Sequence, residues 1–286
     1  NPKLFWSSVW EFSNIKGIKN DRFHFPKEII KSKFLVKSKL NYAENLLSKN
    51  DNTKAVTFIS ENGYREEKSW KELNNNTFKL INFFKENKIK EKDRIAAYTS
   101  NQIETVESFL AASAIGAIWS SCSPDFGSQG VIERFSQIKP KLLIITDRYY
   151  YNGKEINILE RLPVILKKIK SISSVLIINY PGKKKLKQKK IMGIKIFHYN
   201  NLKNKKERKY SYKKFDFDKE LAILYSSGTT GKPKCICHRA GGVLIQHLKE
   251  HKLHCNVKPG DNVFYFTTCG WMMWNWLMTF LASKAS

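Results

Sequence analysis

The stretch RIAAYTSNQIETVESFLAASAIGAIWSSCS, residues 94–123, reads as strand, helix and strand in succession. RIAAYTS (94–100) and AIWSSCS (117–123) are short apolar runs of strand length, and IETVESFLAASAIG (103–116) is an amphipathic helix that ends at a glycine. The same alternation continues toward the C-terminus. VIERFSQIKP (131–140) reads as a helix stopped by proline, KLLIITD (141–147) as a strand, and INILERLPVILKKIK (156–170) as a helix with a kink expected at Pro163. SVLIINY (174–180), IKIFHY (194–199) and LAILYSS (221–227) follow as strands. Repeated strand–helix units of this spacing predict an α/β fold with a mostly parallel sheet flanked by helices. Toward the N-terminus, FWSSVWEFS and LNYAENLLS give helical pieces, KAVTFIS a strand, and SWKELNNNTFKLINFFKEN (69–87) a helix opened by a capping box of Ser69 and Glu72. The change of pattern near residue 93 divides the chain into a segment 1–92, expected to pack on the main body, and a main domain 93–286.

A chain of 286 residues, 42% hydrophobic and 13% aromatic, can fill a sizeable core. Its net charge of +26 raises nucleic acid as a partner, but the distribution argues against it. Between Lys167 and Lys214 there are 17 Lys or Arg and one acid, Glu207, so most of the excess is local. Of the basic residues 43 are Lys and only 8 Arg, whereas base-edge recognition favours Arg. The expectation is a solvated basic surface with no nucleic-acid partner, and KKKLKQKK (183–190) reads as an exposed loop. The start, NPKLFWSSVWEFSNIKG, lacks the pattern of a secretory leader, and five scattered cysteines fit free thiols, so cytoplasm is the expected compartment. NVFYFTTCGWMMWNWLMTFLAS (262–283) has no charged residue, yet its central Thr, Gly, Asn and Trp residues speak against a membrane span. It reads as a strand VFYFTT, a tight turn at Cys269 and Gly270, and a buried helix.

The segment YSSGTTGKPK (225–234) carries the chemistry. Gly228 and Gly231 let backbone N–H groups approach an anion without a Cβ in the way. Ser226, Ser227, Thr229 and Thr230 add hydroxyl donors, and Lys232 and Lys234 add positive charge, which together make a cradle for nucleotide phosphates. It is not a Walker loop. That pattern needs a glycine where Ser226 stands and a Mg2+-binding hydroxyl where Pro233 stands.

YSSGTTGKPK resembles the phosphate-loop signature of the adenylate-forming superfamily, which contains acyl-CoA synthetases, luciferases and peptide-synthetase adenylation domains. FWSSVWEFS, LNYAENLL, SSCSPDFGSQGVIERFSQIKPK (120–141), HLKEHKLH (247–254) and TTCGWMMWNWL (267–277) are similar to the acetoacetate:CoA ligase branch of it. The resemblance implies that ATP and acetoacetate, or another short acid such as acetate or propionate, form an acyl-adenylate that coenzyme A then intercepts. It implies that 93–286 is part of an AMP-binding domain, that Ser226 to Lys234 contact the triphosphate, and that Mg2+ accompanies it. It assigns Trp271, Met272 and Met273 to the acyl pocket. Tyr151, Asn152, Gly153 and Lys154 correspond to the region that meets the 3′-phosphate of CoA, although Tyr151 stands where relatives often have arginine. His247, His251, His254 and Cys255, like Cys235, Cys237 and His238, are not expected to bind metal. The downstream adenine- and ribose-binding signatures and the domain with the catalytic lysine have no counterpart, so the chain is expected to be the N-terminal portion of such a ligase, inactive alone and exposing apolar surface around 263–282. The alternatives from another class are a non-catalytic nucleotide-binding protein and a polyanion-binding module built on 167–214.

Overall fold

The computed structural model describes every residue except 185, 187–190, 192, 205–208, 227–230 and 232. The chain opens with α1 (Pro2–Phe12) and the single-turn α2 (Tyr42–Leu46), both capped by asparagine side chains, Asn1 and Asn41. A hairpin of Lys54–Ile59 and Arg65–Ser69 leads into α3 (Trp70–Glu86). The capping box expected there is formed: Glu72 N donates to Ser69 Oγ at 3.2 Å, and Ser69 N to Glu72 Oε2 at 2.8 Å.

The central sheet begins with β1 (Arg94–Tyr98), followed by α4 (Ile103–Ala114), β2 (Ile118–Cys122), α5 (Ser128–Ile138) and β3 (Leu142–Thr146). After α6 (Leu162–Lys168) come β4 (Ser174–Ile178), β5 (Lys195–His198), β6 (Glu220–Ser226), β7 (Lys234–Arg239), α7 (Ala240–Lys249) and α8 (Met272–Met278). The strand order is β5-β4-β3-β1-β2-β6-β7. All neighbours are parallel except β6 and β7, which form an antiparallel hairpin.

Period-two alternation sends each strand's side chains to two different cores. Ile95, Ala97, Trp119, Leu142, Ile144 and Leu176 face a cluster that also takes Trp10, Tyr42, Phe84, Phe109, Leu244 and Trp274. Thus side chains from the first 92 residues and from the main sheet share one core. Ala96, Tyr98, Leu143, Ile145, Val175 and Ile177 face the other side, under Val131 and Phe135 of α5 and Leu162 and Ile165 of α6. Burial on both faces explains why these strands read as continuous apolar runs. The helix 103–114 ends as its glycine predicts: Gly116 has φ +73, and a Cβ there would meet the Phe215 ring at 2.7 Å.

Two expectations are corrected and a third is narrowed. Pro163 sits in the first turn of α6 and starts that helix rather than kinking it, because a first-turn residue has no intrahelical N–H bond to lose. Residues 263–268 form no strand among the described residues; Val263 N donates to Ser286 O instead, and Phe264 and Phe266 are 84% and 88% exposed. An isolated extended segment without a neighbouring strand has no ladder to join. The apolar exposure expected for 263–282 is confined to Phe264, Tyr265, Phe266, Trp271 and Met272, while Trp274, Met278, Phe280 and Leu281 are buried. Among the described residues no helix is long and apolar enough to cross a membrane, and all five cysteines are free thiols.

Candidate functional site

In parallel α/β sheets the carboxyl ends of the strands form the ligand-facing edge, because helices leave there and their connecting loops are free to vary. β6 runs parallel to β2, so it delivers its last residue, Ser226, to that edge. Ser226 pairs with Lys234 across the hairpin, which makes 227–233 the connection between the two strands. Ser226 is half-buried, while Gly231 and Lys234 are exposed, and Gly231 has φ +96. Ser227, Gly228, Thr229, Thr230 and Lys232 lie outside the described residues.

Helix α5 braces both arms of this hairpin. Gln137 Nε2 donates to Pro233 O at 2.9 Å, and the Cys235 thiol lies 3.6 Å from Gln137 Oε1. One turn earlier the Arg134 guanidinium lies 4.2 Å from the centre of the Phe126 ring and 5.8 Å from that of Tyr225, and donates to Gly130 O at 3.0 Å. Tyr225, the residue before Ser226, is fixed by Ser120 Oγ, which lies 3.0 Å from its hydroxyl. Burial raises the Tyr225 pKa, so its hydroxyl stays neutral. Tyr225 opens the segment already singled out in the sequence, but Arg134 and Gln137 do not stand out, since each is one of several polar residues on an amphipathic helix.

The turn Ser123–Gly127 after β2 is held by a second cation. Arg161 donates to Pro124 O and Phe126 O, both at 2.9 Å, and to the Tyr98 hydroxyl. Tyr98 in turn donates to Phe126 O at 2.5 Å. Asp125 projects from this turn into solvent, its carboxylate accepting from Ser123 Oγ at 2.6 Å.

The segment 268–271 lies on the ends of β1 and β2. The buried Cys269 thiol donates to Thr99 O at 2.9 Å, and Ser121 Oγ donates to Cys269 O at 2.5 Å. Burial pushes the Cys269 thiol up to about 12, so it stays protonated and acts as a packed donor rather than a nucleophile. Gly270 eases the approach: a Cβ there would stand 3.2 Å from Ser123 N, a tight contact. Trp271 and Met272 are 62% and 45% exposed and Met273 is half-buried, at the start of α8, while Trp274 is fully buried with Nε1 donating to Asn101 Oδ1 at 2.7 Å. The buried tryptophan thus anchors the segment and leaves the residues before it free.

Tyr151, Asn152, Gly153 and Lys154 form the exposed tip of a hairpin, Arg148–Tyr151 with Lys154–Asn157, that follows the carboxyl end of β3. Asn152 and Gly153 have φ +50 and +71, the geometry of a two-residue hairpin turn. Gly153 N is held by the Glu61 carboxylate.

His247 and His251 lie side by side, ring centres 6.1 Å apart, but each is engaged by another partner. His247 Nδ1 is 2.8 Å from Thr279 Oγ1, His251 stacks on Phe280 at 3.5 Å, and His254 is exposed. Burial pushes both His247 and His251 down to about 3, so both rings are neutral. Among the described residues no group of three or more His, Cys, Asp or Glu converges as metal ligands would.

Residues 44–285 match the family described as AMP-binding enzyme. The chain belongs to that family. Within it, this chain is 39% identical over 283 residues to the acetoacetyl-coenzyme A synthetase of Rhizobium meliloti (strain 1021), covering 99% of this chain and 43% of that protein. It is 41% identical over 290 residues to the acetoacetyl-CoA synthetase of Gallus gallus, of which it covers 44%, and 33% identical over 300 residues to a malonamoyl-CoA synthetase of Penicillium aethiopicum, of which it covers 41%. Among solved structures, the acetoacetyl-CoA synthetase from Streptomyces lividans superposes with a TM-score of 0.88 at 30% identity, over 98% of this chain and 43% of that one. The chain therefore spans less than half the length of these relatives.

Proposed function

We propose that this chain provides the triphosphate- and acyl-binding part of an ATP-dependent acid:CoA ligase that acts on acetoacetate. The observation that carries the reading is the placement of the described ends of the glycine-rich hairpin, Ser226 and Lys234, on the same carboxyl-end edge of the sheet as the 268–273 segment. A phosphate-binding group and an apolar wall on one edge suit joining a nucleotide to a short acid. The donor set fits ATP, because the loop offers hydroxyls, glycine N–H groups and lysines and no carboxylate between residues 225 and 234. Its hydroxyl oxygens are hard donors of the kind Mg2+ accepts, and the ion would neutralise part of the triphosphate charge.

In the proposed reaction a carboxylate oxygen of the acid attacks the α-phosphorus of ATP, the bond from that phosphorus to the β-bridging oxygen breaks, and pyrophosphate leaves. The thiol of coenzyme A, losing its proton to solvent, then attacks the acyl carbon and AMP departs. The chain's own part is positional and electrostatic: Lys234 and the loop hydroxyls hold phosphate charge, and Trp271, Met272 and Met273 exclude water from the acyl group. Lys154, on the exposed hairpin tip, is proposed to meet the 3′-phosphate of CoA, with Tyr151, Asn152 and Gly153 beside it. Acetoacetyl and malonamoyl groups share a carbonyl on the third carbon, which favours a short 3-oxo acid over acetate or propionate. We place the reaction in the cytoplasm, where the free thiols would stay reduced.

The test joins residues 1–286 to the remainder of the Rhizobium meliloti relative and measures acetoacetate- and CoA-dependent AMP formation. Turnover with acetoacetate that falls on Lys234→Ala supports the reading; a soluble chimera that forms no AMP with any short acid rejects it. Residues 1–286 alone are expected to bind ATP with Mg2+ but to form little or no AMP.

A further inference from the structure

A polar pocket of about 360 Å3 lies away from the β6–β7 hairpin, between the turn after α1, the end of α2, and the segments that follow α7 and α8. Lys16, Lys252 and Lys284 line it, and no carboxylate does among the described residues. Asp261, on the neighbouring 258–261 turn, is directed instead at Lys258 N, 2.8 Å from its Oδ2. Two serines complete the wall. Ser13 and Ser283 are 5% and 4% exposed, and neither hydroxyl has a hydrogen-bond partner in the protein among the described residues. A buried hydroxyl left without a partner is unfavourable, so two beside one pocket would be completed by a ligand that accepts from them.

The charges point the same way. Lys252 donates to Ser13 O at 3.2 Å and reaches the pocket half-buried. Its ammonium is held below the ordinary lysine range, first by burial and then by the neighbouring Lys284 charge. Two lysines that repel one another beside unsatisfied hydroxyl donors are relieved together by one ligand, an anion with several oxygens.

We propose that this pocket binds a small phosphate-bearing anion, whose oxygens accept from Lys16, Lys252 and Lys284 and from the Ser13 and Ser283 hydroxyls. The pocket shares no residue with the phosphate hairpin, so the two sites are separable.

The probe is inorganic pyrophosphate, titrated calorimetrically at low salt into the 286-residue chain carrying Lys234→Ala, which weakens the hairpin site. Saturable binding is expected, weakened at least about tenfold by the double variant Lys252→Met with Lys284→Met and about tenfold by Ser283→Ala, the loss that goes with one hydrogen bond to a charged group. A control of equal charge loss on exposed lysines, Lys27→Met with Lys31→Met, is expected to keep the affinity. Inorganic phosphate and AMP in parallel titrations separate a site for the free ion from one for a phosphate ester, and binding of either supports the proposal. Lys284→Glu, at an exposed position, serves if the double variant melts early. The absence of saturable binding overturns the proposal, as does an affinity that survives the pocket substitutions or falls equally in the control pair.

Discussion

Trp274 does at one residue what the apolar stretch around it could not announce. It is fully buried, meets Phe109 edge to face at 5.3 Å, and donates through Nε1 to Asn101, so it ties α8 to α4 and to the end of β1. Trp274→Ala is expected to lower the unfolding free energy in urea by about 3–5 kcal/mol, the range for removing a buried aromatic, and Trp274→Phe by less. Lys234 is the opposite case, an exposed side chain with no packing role. Lys234→Ala should leave the melting temperature unchanged while weakening Mg2+-ATP binding about tenfold, as lost charge-assisted contacts do. The proposed role of Lys234 was legible from the sequence because it rests on the composition of the loop. Trp274 was legible only as apolar, since nothing nearby in sequence tells which of Trp271, Trp274 and Trp276 turns inward.

At the scale of elements, α5 and the β6–β7 hairpin work as a pair. If Gln137 holds Pro233 O as the structure shows at 2.9 Å, Gln137→Ala should speed amide hydrogen exchange across 226–234 while leaving β1 and β3 unchanged. Unaltered exchange in the hairpin would deny the brace its role. The pairing was hidden in the sequence because α5 and the hairpin lie about a hundred residues apart, and a helix period marks only the apolar face of α5. β1 to β4 and the helices α4 and α5 were legible, each with its own periodicity or stop signal, whereas the hairpin at 148–157 was not, and the helix expected over 156–170 begins only at Leu162. The expected strand at 263–268 was not formed, because a strand needs a neighbour and β-branched or aromatic content alone supplies none. Its exposed Phe264 and Phe266 should bind an apolar fluorescent dye, and Phe264→Ser with Phe266→Ser should reduce that signal without lowering the melting temperature.

Across the whole molecule, buried titratable groups set the pH range of stability. Glu107, enclosed between Asn76 and Tyr199, is pushed up to about 8 from 4.5 by burial and by the Glu104 charge. The folded state therefore holds a proton that the unfolded chain releases, and this contribution, complete below 4.5, is lost as pH rises through 8. His247 and His251 act in the other direction. Held at about 3 against an ordinary 6.5, they stay neutral when folded, so stability falls as pH drops from 6.5 toward 3 and the unfolded chain takes up protons. Melting temperature against pH should be bell-shaped, with Glu107→Gln flattening the alkaline limb and His251→Phe the acid one. The net charge of +26 adds self-repulsion, so added salt should raise the melting temperature.

By itself the sequence determined the α/β class, the strands of the central sheet from 94 to 226 and the glycine-, hydroxyl- and lysine-rich composition of 226–234 on which the proposed phosphate site rests, because periodicity, caps and glycine placement are local properties of the chain. Tertiary structure alone decided that β6 and β7 close the sheet as an antiparallel hairpin, that Cys269 and Trp274 seat the 268–273 segment on the ends of β1 and β2, and that Arg134 and Gln137 reach the hairpin. It also gathered Lys16, Lys252 and Lys284 around one pocket. Such contacts join residues tens to hundreds of positions apart, and they follow from how the two core faces pack, which no local pattern encodes.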